Sequence, residues 1–121
     1  MSSQPTSNLF RFVEDFVPYA AGQAIFTEGE PGKVMYVVKE GDVDIVIGNT
    51  VIDTLQPGGI FGEMALIDQQ PRSASAIAKT DCKLIRVDEK RFTYLVQQTP
   101  RFALELLRLI AGRLRRMNAH A

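Results

Sequence analysis

The feature that most limits what this chain can fold into is a change of period. From about residue 23 to residue 87, apolar residues recur at every second position in short runs broken by turn signals; beyond Asp88 they recur at helical spacing. Val43, Ile45 and Ile47 alternate with Asp42, Asp44 and Val46, the pattern of a half-buried strand. Glu30-Pro31-Gly32, Glu40-Gly41-Asp42, Pro57-Gly58-Gly59 and Lys79-Thr80-Asp81 mark turns. Gly48-Asn49, between IVI and TVI, suits a two-residue hairpin loop because glycine accepts a positive φ without steric cost. The last two strands fall near 73–79 and 82–87. Short strands with regularly spaced turns imply a sandwich or barrel.

Helical spacing predicts three further elements. Leu9, Phe10, Phe12, Val13 and Phe16 place a short amphipathic helix over roughly 8–16, stopped by Pro18, after a polar leader at 1–8. Asp88 caps a helix over 89–97. Thr99-Pro100 opens the last one, with threonine at the cap and proline at the first helical position, and it runs to about Met117.

Around that last helix, Arg101, Glu105, Arg108, Gly112, Arg115 and Arg116 share one arc, and apolar residues occupy more than half of the circumference. One packing contact does not need so wide a face. The expectation is two contacts, with the β domain and with a second copy, giving a homodimer through the C-terminal helix. Arg113 lies inside the apolar arc, in line with Phe102, Leu106 and Leu109, so it must snorkel, pair or touch a ligand. Residues 100–121 carry five arginines against one glutamate, which suits a helix C-terminus, and the rest of the chain balances this to zero.

Zero net charge gives no non-specific attraction for nucleic acid or anionic membrane. With 121 residues, 45% of them hydrophobic, the chain can build one core unaided. Its lone cysteine, Cys82, and lone histidine, His120, make neither an internal disulfide nor a zinc site. No apolar run reaches membrane-span length, and MSSQPTSN lacks the features of a signal peptide, so the expected setting is the cytoplasm with no membrane contact.

The chemistry concentrates in FGEMALIDQQPRSASA, residues 61–76. A glycine followed by a short helical turn offers backbone N–H groups to an anion, and Gly62 lets a ligand approach closely. Arg72 supplies a planar fork of donors and Ser73 a hydroxyl, while Ala74 and Ala76 keep the wall low. Glu63 would repel an anion unless it accepts from hydroxyl groups, as of a sugar. Phosphate plus sugar means a nucleotide. One cation without magnesium ligands or a P-loop fits a phosphate of single charge. The plainer alternative is that Glu63 and Arg72 pair with each other.

The ordered set Phe61-Gly62-Glu63-Met64-Ala65-Leu66 and Pro71-Arg72-Ser73-Ala74-Ser75-Ala76, preceded by Glu28-Gly29-Glu30, Tyr36 to Gly41 and Pro57-Gly58, resembles the phosphate-binding cassette of the cyclic nucleotide-binding domain family. The resemblance covers residues 9–118, leaving 119–121 as a tail. It implies a mainly β fold, an antiparallel eight-stranded β-roll of jelly-roll type, with an N-terminal helix and two C-terminal helices. It implies that Glu63 accepts from the ribose 2′-hydroxyl and that Arg72 pairs with the cyclic phosphate. Backbone N–H groups around Gly62, Met64, Ala65 and Ser73, with Ala74 beside them, complete the cradle. Phe26, Ile45 and Ile52 are implied as the apolar floor, and the last helix as a lid. Arg113 is the candidate base contact, with Arg116 or Ile110 as alternatives by register; a dimer or surface contact is the other reading of Arg113.

The function expected is binding of a cyclic nucleotide, cyclic AMP by similarity to bacterial relatives, in a sensor module with no cofactor and no DNA-binding domain, since the chain ends where a helix-turn-helix would follow. The start MSSQPTSN favours a complete small protein acting on an unidentified effector. The alternatives are a cyclic GMP-binding module and a degenerate domain used for protein interaction. A phosphodiesterase is disfavoured because metal-assisted hydrolysis wants histidines and aspartates in clusters.

Overall fold

The computed structural model describes residues 15–119. The expected N-terminal helix at 8–16 falls almost wholly outside them, as do the 1–8 leader and His120. Eight antiparallel strands come first: β1 Val17–Tyr19, β2 Ala24–Phe26, β3 Val34–Glu40, β4 Val43–Ile47, β5 Thr50–Leu55, β6 Ile60–Phe61, β7 Ser75–Ala78 and β8 Cys82–Asp88. A single helical turn, α1 Met64–Ile67, interrupts them, and α2 Glu89–Gln98 and α3 Pro100–Ala119 follow. The strands form two four-stranded sheets, β1-β8-β3-β6 and β2-β7-β4-β5. The mainly β architecture with C-terminal helices is the one expected.

Two cores result. Between the sheets lie Tyr36, Val38, Val43, Leu55, Phe61, Ala76, Ala78, Cys82 and Leu84. On the outer face of the first sheet, Met35, Val37, Ile60, Ile85 and Val87 pack against Phe102, Leu106 and Leu109 of α3. This is why β3 reads as an unbroken apolar run, Met35-Tyr36-Val37-Val38: successive side chains point to opposite faces, and both faces are covered. Asp88 caps α2 as expected, its carboxylate accepting from the Arg91 N–H at 2.8 Å.

The hairpin at Gly48-Asn49 forms with Ile47 opposite Thr50, and Gly48 takes φ +60°. The alternation expected along β4 holds only halfway. The register with β5 shifts between Ile45 and Val46 because β5 carries an extra residue, Ile52, and at the end of β4 Val46 is buried while Ile47 is 46% exposed. Two strands lie outside the sequence reading: β1, which contains Pro18, and the two-residue β6. Both are edge strands, and the edge is where a sheet tolerates proline.

Candidate functional site

The cassette begins where β6 ends. Gly62 adopts φ +76°, a left-handed conformation that favours glycine, and it turns the chain from strand into α1. A Cβ on Gly62 would lie 2.9 Å from Arg72 Nη1 and 3.4 Å from Phe26 Cε2, so the glycine is needed for both its φ and its close approach. Ala65 N–H closes the turn on the Gly62 carbonyl at 3.3 Å, and Leu66 N–H on the Glu63 carbonyl at 3.0 Å.

Glu63 and Arg72 are the buried charged side chains among the described residues, 5% and 7% exposed. They do not pair with each other. Glu63 takes a salt bridge from Arg113 Nη1 at 2.5 Å, and Arg113 Nη2 donates to the Ile60 carbonyl. Arg72 donates from Nη1 to the Gly62 carbonyl at 3.1 Å and from Nη2 to the Val34 carbonyl at 2.9 Å. Its Nε is buried and has no hydrogen-bond partner. Leaving such a donor unsatisfied costs about 1–3 kcal/mol, more for a charged group. Burial pushes the Arg72 pKa down, while Tyr36, Glu30 and Glu63 pull it back up.

Backbone bonds hold Arg72 from the other side. Gly29 N–H donates to the Arg72 carbonyl and Arg72 N–H to the Glu30 carbonyl, both at 2.8 Å. Ser75 belongs to the same lacing, its hydroxyl accepting from Glu28 N–H at 2.9 Å. The turn between β2 and β3 is thus fastened to the cassette across a long stretch of chain.

Of the other expected site residues, Phe26 and Ile45 flank Ala76 across β2, β7 and β4 and pack on the inter-sheet core. Ile52 does not join them. It is the extra residue of the bulge in β5, an edge strand, and is 54% exposed. Ser73 and Met64 are exposed on the cassette, and Ala65 and Ala74 are buried beneath it. On α3, Arg113 meets Glu63, Ile110 packs at the margin of the helix core and Arg116 is exposed. The Glu63–Arg113 contact was open to the sequence only as an arginine stranded in an apolar arc. Val34 was not singled out at all, because its contribution is a backbone carbonyl that any residue carries.

A family model for the cyclic nucleotide-binding domain matches residues 16–99, and the chain belongs to that family. The family is a ligand-binding, non-catalytic module. The chain is 36% identical over 84 residues to a cAMP-dependent protein kinase regulatory subunit of Aspergillus niger, 68% of this chain and 20% of that one. It superposes on the crystal structure of the Thermus thermophilus catabolite activator protein with a TM-score of 0.79 at 32% identity, covering 94% of this chain and 61% of that one. A structure described under a cyclic-GMP-dependent signalling pathway in bacterial phytopathogenesis gives a TM-score of 0.80 at 33% identity, covering 94% of this chain and 98% of that one. The chain spans about a fifth of the kinase regulatory subunit and about half of the Thermus thermophilus cyclic AMP receptor protein.

Proposed function

We propose that this domain is a cytoplasmic receptor module for a cyclic nucleotide, with cyclic AMP as its ligand. The observation that carries the reading is the buried guanidinium of Arg72, its two outer nitrogens committed to carbonyls and its Nε–H without a partner, beside a glycine at φ +76°. A singly charged phosphate balances the charge of that guanidinium. Glu63 accepts from the ribose 2′-hydroxyl, and Gly62, Met64, Ala65, Ser73 and Ala74 form the cradle. Phe26 and Ile45 line the sugar and base side. The relatives named for cyclic AMP support the choice of ligand.

The output passes through α3. Arg113 ties this helix to Glu63, so a ribose hydroxyl arriving at the same carboxylate changes what holds the helix. Leu104, Leu107, Ala111 and Leu114 are exposed at intervals of three, four and three residues, the spacing of a helix–helix seam, and we assign them to a homodimer. The site serves binding, not catalysis.

Cyclic GMP is the second reading. It is favoured by the likeness to the structure from a cyclic-GMP-dependent pathway and by the exposed Ser73 hydroxyl, which is available to a guanine.

Calorimetric titration of nucleotide-stripped protein with cyclic AMP and cyclic GMP tests the proposal. Arg72→Ala is expected to weaken binding by about 1.5–3 kcal/mol, the worth of a charge-assisted hydrogen bond. Unchanged affinity in that variant, or no binding of either nucleotide by the wild type, would overturn it.

A further inference from the structure

The resemblance assigns Phe26 to the floor under sugar and base, and gives Gly32 no role. The geometry points to more: we infer that Phe26 and Gly32 are positioning residues that form a slot holding the Arg72 guanidinium in one orientation. This inference rests on the cyclic nucleotide reading above.

The Phe26 ring lies under the cation, its centroid 4.1 Å from Arg72 Cζ, against 5.9 Å for the Tyr36 ring. That is well inside cation–π range. The ring cannot tilt away easily, because it packs on Tyr36 and Phe61 at centroid distances of 5.9 Å each, and those two stack on each other at 5.2 Å. Gly32 bounds the slot elsewhere. A Cβ there would lie 2.3 Å from Nε, 2.4 Å from Cζ and 2.6 Å from Nη2. No φ requirement explains this glycine, since Gly32 is absent from the residues with positive φ. The guanidinium fills the space a side chain would take.

The slot is fixed relative to Arg72 by the two backbone bonds from Gly29 and to Glu30, so turn and cassette move together. With Nη1 and Nη2 tethered to carbonyls and the plane bounded by Gly32 and Phe26, the guanidinium has one orientation, and Nε is the nitrogen left unpaired. A lysine, with a single rotating ammonium, cannot make this set of contacts.

The test is titration of cyclic AMP and cyclic GMP into wild type, Phe26→Leu, Phe26→Tyr and Gly32→Ala, each also in an Arg72→Ala background, with thermal melts alongside. Phe26→Leu keeps an apolar floor but removes the π face, and is expected to weaken binding about 3- to 30-fold. Phe26→Tyr keeps the face and holds affinity within about twofold. Gly32→Ala displaces the guanidinium and weakens binding about tenfold. In the Arg72→Ala background neither Phe26→Leu nor Gly32→Ala weakens binding further. Equal losses in Phe26→Leu and Phe26→Tyr, wild-type binding by Phe26→Leu and Gly32→Ala, or losses that persist without Arg72 would each return Phe26 to the floor and overturn the slot. A wild type that binds neither nucleotide overturns the parent reading instead. Where a melt shifts, the Arg72 Nε–H proton resonance, assigned by its absence in Arg72→Ala, decides independently. A wild-type line that moves in Phe26→Leu and in Gly32→Ala supports the slot, and a line unmoved by both overturns it.

Discussion

The cassette at 61–76 and helix α3 meet at one ion pair, Glu63 with Arg113, yet they are built by opposite means. In the cassette the course of the backbone is local. A glycine at φ +76°, one helical turn and a short return loop carry Glu63 and Arg72; the Gly62 and Val34 carbonyls then hold Arg72, and Arg113 holds Glu63. The helix is regular from end to end and takes its meaning only from what it lies against. Phe102, Leu106 and Leu109 are buried on the first sheet, whereas Leu104, Leu107 and Leu114, of the same chemistry, are exposed. The position of a function-bearing group on an irregular segment is therefore set by its neighbours in sequence, whereas its partners, like the burial of identical leucines on a helix, are set by packing.

Phe102 gives the largest test of that contrast. It is fully buried and meets Phe92 edge-on at 5.7 Å. Phe102→Ala is expected to cost about 3–5 kcal/mol in urea unfolding. A loss under about 1 kcal/mol would mean that α3 does not draw its stability from the sheet.

Arg113→Ala comes next, because it strands a carboxylate that is only 5% exposed. The expected cost is about 1–3 kcal/mol, and Glu63→Gln in the same chain recovers much of it. If the double variant is no more stable than Arg113→Ala, the two sites are not coupled through this pair.

Leu107→Glu addresses the outer face. Leu107 is 62% exposed, so monomer stability should stay within about 0.5 kcal/mol while sedimentation velocity reports loss of the dimer. A wild type that sediments as a monomer at high concentration, with and without nucleotide, removes the seam from the proposal.

The smallest effect lies at the edge of the described chain. Asp15 pairs with Arg91 at 2.9 Å, and hydrogen bonding to that guanidinium lowers the Asp15 pKa against an opposing desolvation. A depressed folded-state pKa contributes stability above the ordinary carboxylate value, and that contribution is lost as pH falls through the depressed one. Both side chains are partly exposed, 32% and 68%, so less than about 1 kcal/mol is at stake. Thermal melts from about pH 5 to 2 should show a shallower acid limb for Asp15→Asn; an identical limb would leave the pair without energetic weight.

Much of this molecule was legible before any coordinates. The Gly48-Asn49 hairpin, the Asp88 cap and the helix opening at Thr99-Pro100 rest on local rules and stand where those rules put them. The strand around Pro18 was hidden because proline ends helices and is rare in strands; only an edge position, with β8 on one side, lets it pair. The bulge beside Ile45 was hidden for a related reason. One extra residue costs no apolar character in the sequence, yet it leaves Ile52 unpaired and outside the core.

The chain by itself determined six of the eight strands, the turns between them, the two helices after Asp88 and the inventory of the cassette. Those follow from period, φ preference and capping, which act over a few residues. Tertiary structure alone decided that Arg72 would give two donors to Gly62 and Val34 and keep a third unpaired, that Glu63 would meet Arg113 rather than Arg72, and which leucines of α3 would be covered. Those outcomes join residues 10 to 50 positions apart. A carbonyl, a carboxylate and a leucine look alike at any position until packing selects which of them share a buried space.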